Sequence, residues 1–169
     1  MKKSTKILCR IAIISALYAV LSLVAFPIAS GQIQVRLGEG LTLLPLFFME
    51  SSVGLFIGCF IVNLITGTAI LDTVFGSLIT LISAILTHYI CKKIKKVWLK
   101  IFIGGLFPVL LNAFLLPLIW KLCYGVISYG YIISALFVLA GQVISVYGIG
   151  TGVTLSIKKL RQKNLEFFK

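Results

Sequence analysis

The 169-residue chain is 60% hydrophobic and only 12% charged, with a mean hydropathy of +1.13. Soluble domains are about half apolar and about a quarter charged, so this composition excludes an ordinary soluble enzyme and a disordered chain. A formal charge of +12 would suggest nucleic acid in a soluble protein. Here the Lys and Arg residues gather at 2–10, 92–100 and 158–169 with long apolar runs between them, the pattern of a membrane protein with basic cytoplasmic ends.

A membrane-crossing helix needs about 20 apolar residues. Residues 8–28 supply the first. The basic stretch before them resembles the start of a signal peptide, but the apolar run is long and the rest of the chain equally hydrophobic, so it reads as a helix that is retained. The stretch 37–67 is too long for one span and too short for two full ones and a turn. Pro45 lies inside it and Glu50-Ser51-Ser52 interrupts it, which predicts two short helices, about 38–49 and 52–66, one or both re-entrant or tilted. Residues 71–91, residues 101–120 (kinked at Pro108 and Pro117) and residues 131–157 complete six spans in one membrane domain.

Charge decides the count. Six spans with a cytoplasmic N-terminus put fourteen Lys and Arg residues inside and only Arg36 and Lys121 outside. Counting 37–67 as a single span gives at best eleven against five. The positive-inside rule therefore predicts an all-α bundle of six spans with both termini cytoplasmic, in the cell membrane.

The chemistry-bearing residues are few. No GxxxxGK[ST] loop is present, so ATP hydrolysis is not expected of this chain. Cys9, Cys59, Cys91 and Cys123 show no CxxC spacing and read as small apolar filler, and His88 has no partner cluster for a metal. No cofactor is expected. Arg36 and Glu39 stand three apart in an outer loop at the start of the second span. They could pair on one helix face as a structural salt bridge, or recognise a ligand. Asp72 opens the fourth span, as an acid favoured by the helix dipole or as a ligand contact. Asn63, Asn112 and Gln142 lie within apolar spans, where an amide either bonds between helices or reads the edge of a flat polar ligand. Ala12 and Ala16 set an AxxxA spacing that suits close helix packing, inside the bundle or with a partner. Trp98, Trp120, Tyr124, Tyr129 and Tyr131 fit an interfacial belt, with Trp120 or a neighbouring tyrosine a candidate for stacking on a heterocycle.

Three stretches carry a family resemblance. Gly31-x-Ile33-Gln34-Val35-Arg36-Leu37-Gly38-Glu39-Gly40-Leu41-Thr42, then Gly54-Leu55-x-Ile57-Gly58-Cys59-x-x-x-Asn63-Leu64, then Asp72-x-Val74-Phe75-Gly76-Ser77-Leu78-x-Thr80, resemble the QueT family over residues 10–90, and more weakly beyond. The resemblance implies a substrate-binding S-component of an energy-coupling factor (ECF) transporter, a six-helix bundle that takes up queuosine precursors, the 7-deazaguanine bases. It implies partners: a transmembrane coupling protein, docked through Ala12 and Ala16, and two ATPase subunits. It also implies substrate-binding roles for Gln34, Arg36, Glu39, Asn63, Asp72, Asn112 and Gln142, with carboxylates accepting from the base and Arg36 or Asn63 donating to its carbonyl. Two departures stand out: Gln142 occupies a position where family members often have Glu, and no acid follows Asn112 before the next loop. An S-component for another vitamin or nucleobase is the alternative. A structural membrane protein is a second one, and an intramembrane enzyme fits least.

Overall fold

The computed structural model describes residues 3–29, 34–125 and 130–162, and these residues are almost wholly helical. Helix α1 (Lys3–Val24) is followed by one turn, α2 (Phe26–Ala29), then by a 3₁₀ helix (Leu37–Leu46). Next come α3 (Ser51–Ile65), α4 (Ile70–Cys91) and α5 (Val97–Tyr124). A last continuous helix, Gly130–Gln162, comprises α6 (Gly130–Val143), a π-helical segment (Ile144–Ile149) and α7 (Gly150–Gln162). Among the described residues, four helices are long and apolar enough to cross a membrane: those of residues 4–24, 70–91, 97–124 and 130–162. The 3₁₀ helix and α3 are shorter apolar helices.

Polarity is arranged inside out. Leu8, Val24, Ile70, Leu122 and Ile132 point outward, whereas Thr73, Ser77, Thr80, Ser83 and Thr87 are buried. These five hydroxyl residues recur along one face of α4, a helical period that turns small polar side chains toward the core. Buried hydroxyls need partners. Ser77 Oγ donates to Thr73 O at 2.6 Å and Thr80 Oγ1 to Gly76 O at 3.2 Å.

Helix α3 packs against α1 through glycine. A Cβ on Gly54 would lie 2.9 Å from the Ile11 carbonyl, and one on Gly58 2.8 Å from Tyr18 Cβ. The rising register makes α1 and α3 parallel. The 3₁₀ helix runs the other way between them and is the central element, touching α1, α3, α4, α5, the π segment and α7. Its residues Gly38 to Pro45 are all buried. At ~2.0 Å per residue it reaches about 20 Å, further than ten α-helical residues would. The segment therefore carries the chain from the level of Ser22 to that of Arg10, but it is not the α-helix that the sequence suggests.

One proline in α5 is accommodated by a partner from a neighbouring helix, and the carbonyl of Pro45 is held by another. Helix α5 runs through both Pro108 and Pro117. Pro108 has no N–H to give the Gly104 carbonyl, and Thr87 Oγ1 of α4 donates to that carbonyl at 2.9 Å. His88 Nδ1 lies 2.7 Å from the Pro45 carbonyl. Since a carbonyl only accepts, this nitrogen carries the proton.

The two ends of the bundle differ in charge. One end holds Lys6, Arg10, the described lysines of the α4–α5 connection, and Lys158, Lys159 and Arg161. Here Arg10 Nη1 meets Glu50 Oε1 at 2.7 Å. The Phe48 ring lies between the Arg10 and Arg161 guanidinium groups, 4.3 Å and 5.7 Å from its centroid. The other end holds Arg36 and Lys121. Lys2, Lys163 and Lys169 fall outside the described residues.

Candidate functional site

At the less basic end, polar side chains from six helices (α1, the 3₁₀ helix and α3 to α6) and the 34–36 segment converge. Glu39, in the first turn of the 3₁₀ helix, is 1% exposed. Tyr18 of α1 donates to its Oε1 at 2.5 Å, and Asn112 Nδ2 of α5 lies 3.4 Å from its Oε2. A carboxylate offers about four acceptor sites, so two donors leave it capacity for more. Gly38 sets this geometry: a Cβ there would run into Ser22 Oγ and Tyr18.

A second group surrounds Gly76 of α4. A Cβ on Gly76 would lie 3.5 Å from Asn63 Nδ2, 3.6 Å from Leu116 and 3.8 Å from Asp72 Oδ1. The glycine thus leaves bare backbone between an amide of α3 and a carboxylate of α4. Asp72 stands in the first turn of α4, where the helix dipole favours an acid, and the Trp120 indole reaches its carboxylate. Asn63 donates to Cys59 Sγ at 3.7 Å, and Thr80 donates to the same sulfur at 3.6 Å.

Arg36 connects the two groups. It is half-buried, and the charges of Glu39 and Asp72 both act on it. Its Nη2 reaches Gln34 Oε1 at 3.4 Å. The backbone of Gln34 and Val35 lies directly on Gly141 of α6, where a Cβ would collide with the Gln34 carbonyl. Next to Gly141, Gln142 is 2% exposed, and its Oε1 has no hydrogen-bond partner among the described residues.

The predicted residues are therefore placed as follows. Glu39 bonds Asn112, Arg36 bonds Gln34, and Asn63 and Asp72 flank Gly76. Gln142 follows the glycine that seats the Gln34 backbone. Ala12 and Ala16 are exposed on α1, whereas Ala19 packs against the core. The Arg36–Glu39 salt bridge, one of the two readings of that pair, does not form among the described residues. Arg36 is extended (φ −94°, ψ 100°) and the helix begins at Leu37, so the i, i+3 relation of a shared helix face does not apply.

Sequence reasoning missed Tyr18, which carries a hydroxyl in the middle of an apolar span, a group that needs a partner when buried. It also missed a second role of Cys59, which lies in the hydrophobic core as expected of apolar filler and in addition accepts from Asn63 and Thr80. Tyr124 and Tyr131 are engaged structurally: the Ala69 N–H donates to Tyr124 Oη at 3.1 Å, and Tyr131 Oη donates to the Phe114 carbonyl at 2.9 Å. Tyr129 lies outside the described residues, as do residues 30–33 and 126–128.

The family model described as QueT transporter matches residues 8–159. No curated protein and no solved structure matches the chain.

Proposed function

As the chain belongs to the QueT transporter family and is a multi-pass membrane protein, we propose that it is the substrate-binding component of an ECF importer. It crosses the membrane six times with both termini inside. It captures a flat, polar base of the 7-deazaguanine class at the outer face. Release is driven by a coupling protein and two ATPase subunits.

The observation that carries this reading is the arrangement around Arg36. Two buried carboxylates, Glu39 and Asp72, both act electrostatically on the one guanidinium, with the amide of Asn112 on Glu39 and that of Asn63 flanking Gly76 together with Asp72. Ring N–H groups suit the carboxylates, and a ring carbonyl suits Arg36 or an amide N–H. Trp120, at Asp72, offers an aromatic face. The unpartnered Oε1 of Gln142 is an acceptor waiting for a donor. With Gln142 neutral, the site favours a neutral base over one with a cationic side chain. Exposure of Ala12 and Ala16 supports docking of the coupling protein on α1.

Calorimetry on the purified protein in detergent, against queuine, its deazaguanine precursors, guanine and a vitamin panel, tests the assignment. Tight binding of one deazaguanine, lost in Glu39→Gln or Asp72→Asn, is the expected result. A folded protein that binds a vitamin instead, or affinity untouched by both substitutions, overturns the substrate or the site.

A further inference from the structure

At the opposite end from this site lies an open groove of about 700 Å³ between the start of α5 and α7. Its walls are apolar: Leu99, Phe102 and Leu155. Its rim carries three ammonium groups, Lys95, Lys96 and Lys158. Trp98 at the mouth is 67% exposed and Phe102 is 59% exposed, large apolar surfaces that water would not favour beside clustered cations. Tyr147 makes the floor rigid by donating to the Phe102 carbonyl at 2.8 Å and stacking on its ring.

Nothing described in the protein neutralises this rim. Of the four acidic residues, Glu39 and Asp72 belong to the other end and Glu50 is paired with Arg10; Glu166 falls outside the described residues. The α5 N-terminus adds its own positive pole, since Lys96 at the cap makes no side-chain hydrogen bond to the free N–H groups.

We propose that the groove binds an anionic phospholipid. The phosphate rests on Lys95, Lys96, Lys158 and the first N–H groups of α5, and an acyl chain lies along Leu99, Phe102 and Leu155. A free phosphate would satisfy the rim and leave the apolar wall uncovered; a zwitterionic lipid would cover the wall and leave the charge unmatched. Basic pockets between helices at a cytoplasmic face suit such headgroups.

Native mass spectrometry of the purified full chain, titrated with phosphatidylglycerol or phosphatidylcholine, tests this. One phosphatidylglycerol is expected to be retained per chain, and phosphatidylcholine is not. The triple variant Lys95→Gln, Lys96→Gln, Lys158→Gln is expected to weaken retention about 100-fold, at about fivefold for each cation removed. A control with Lys92, Lys93 and Lys159 changed to Gln keeps it. If the triple variant does not fold, Lys158→Glu alone is expected to weaken retention tenfold or more. Equal retention of both lipids, equal loss in the control, or full displacement by millimolar glycerol phosphate would each overturn the proposal.

Discussion

Single side chains decide how rigid the candidate site is. Glu39 is held by Tyr18 and Asn112, which fixes the carboxylate before any ligand arrives. Removing the Tyr18 hydroxyl should cost about 1 kcal/mol, the scale of interhelical hydrogen bonds in membranes, rather than the larger value expected in vacuum. Denaturant unfolding of Tyr18→Phe in mixed micelles checks this, and a change beyond about 3 kcal/mol would mean that the ring also loses its packing. Much of this site was legible because a charged or amide group inside an apolar run stands out: Glu39, Asp72, Asn63 and Asn112 all did. Tyr18 and Cys59 did not, because their bodies are apolar and their polar atoms become visible only once a partner helix lies alongside. The reading of Arg36 and Glu39 as a salt bridge on one helix face assumes helical winding one residue earlier than it begins.

Elements are held together by carbonyls and glycines that the next helix completes. Thr87→Val should destabilise the protein by about 1–3 kcal/mol by orphaning the Gly104 carbonyl. In a Pro108→Ala background the helix regains its own N–H, so the same substitution should cost almost nothing. A double-mutant cycle by thermal unfolding reads the difference, and equal costs in both backgrounds would remove the proline from the explanation. Gly141→Ala should lower ligand affinity at least tenfold and cost about 1–3 kcal/mol, because the obstructing Gln34 carbonyl is backbone and the 34–36 segment must move. Gly148 has open space where a Cβ would go, so Gly148→Ala should stay within about 1 kcal/mol of the parent. Calorimetry and unfolding on this pair separate steric effects from general helix effects. The break at Glu50 was legible from charge and from Pro45, but the 3₁₀ winding was not. It depends on how Gly38 and Gly40 fit against α1 and the π segment, which no local propensity encodes. The last helix continues past 157 because Lys158 to Gln162 are good helix formers with no stop signal among them.

On the scale of the whole molecule, charge was the most readable property. Clusters 82 and 58 residues apart in the chain gather at one end of the fold, with Arg36 and Lys121 at the other. The six-span arrangement can be tested after Cys9 and Cys123 are changed to Ser, leaving the buried Cys59 and Cys91. An introduced Lys121→Cys should react with an impermeant maleimide in intact cells, and Lys159→Cys only after permeabilisation. Labelling of both from outside would reject the shared cytoplasmic side. The same asymmetry places the lipid groove and the ligand site at opposite faces of one small bundle.

Those faces are connected by the buried 3₁₀ helix, which begins next to Glu39 and ends where His88 pins the Pro45 carbonyl and the chain leads into Phe48 and Glu50. Rewound from ~2.0 to ~1.5 Å per residue, its ten residues would draw their ends together by about 5 Å, close to one α-helical turn. The segment is in effect a telescoping strut at full extension. A pull on the carboxylate at one face could be delivered as a shorter reach at the other, with none of the four long helices sliding along its axis.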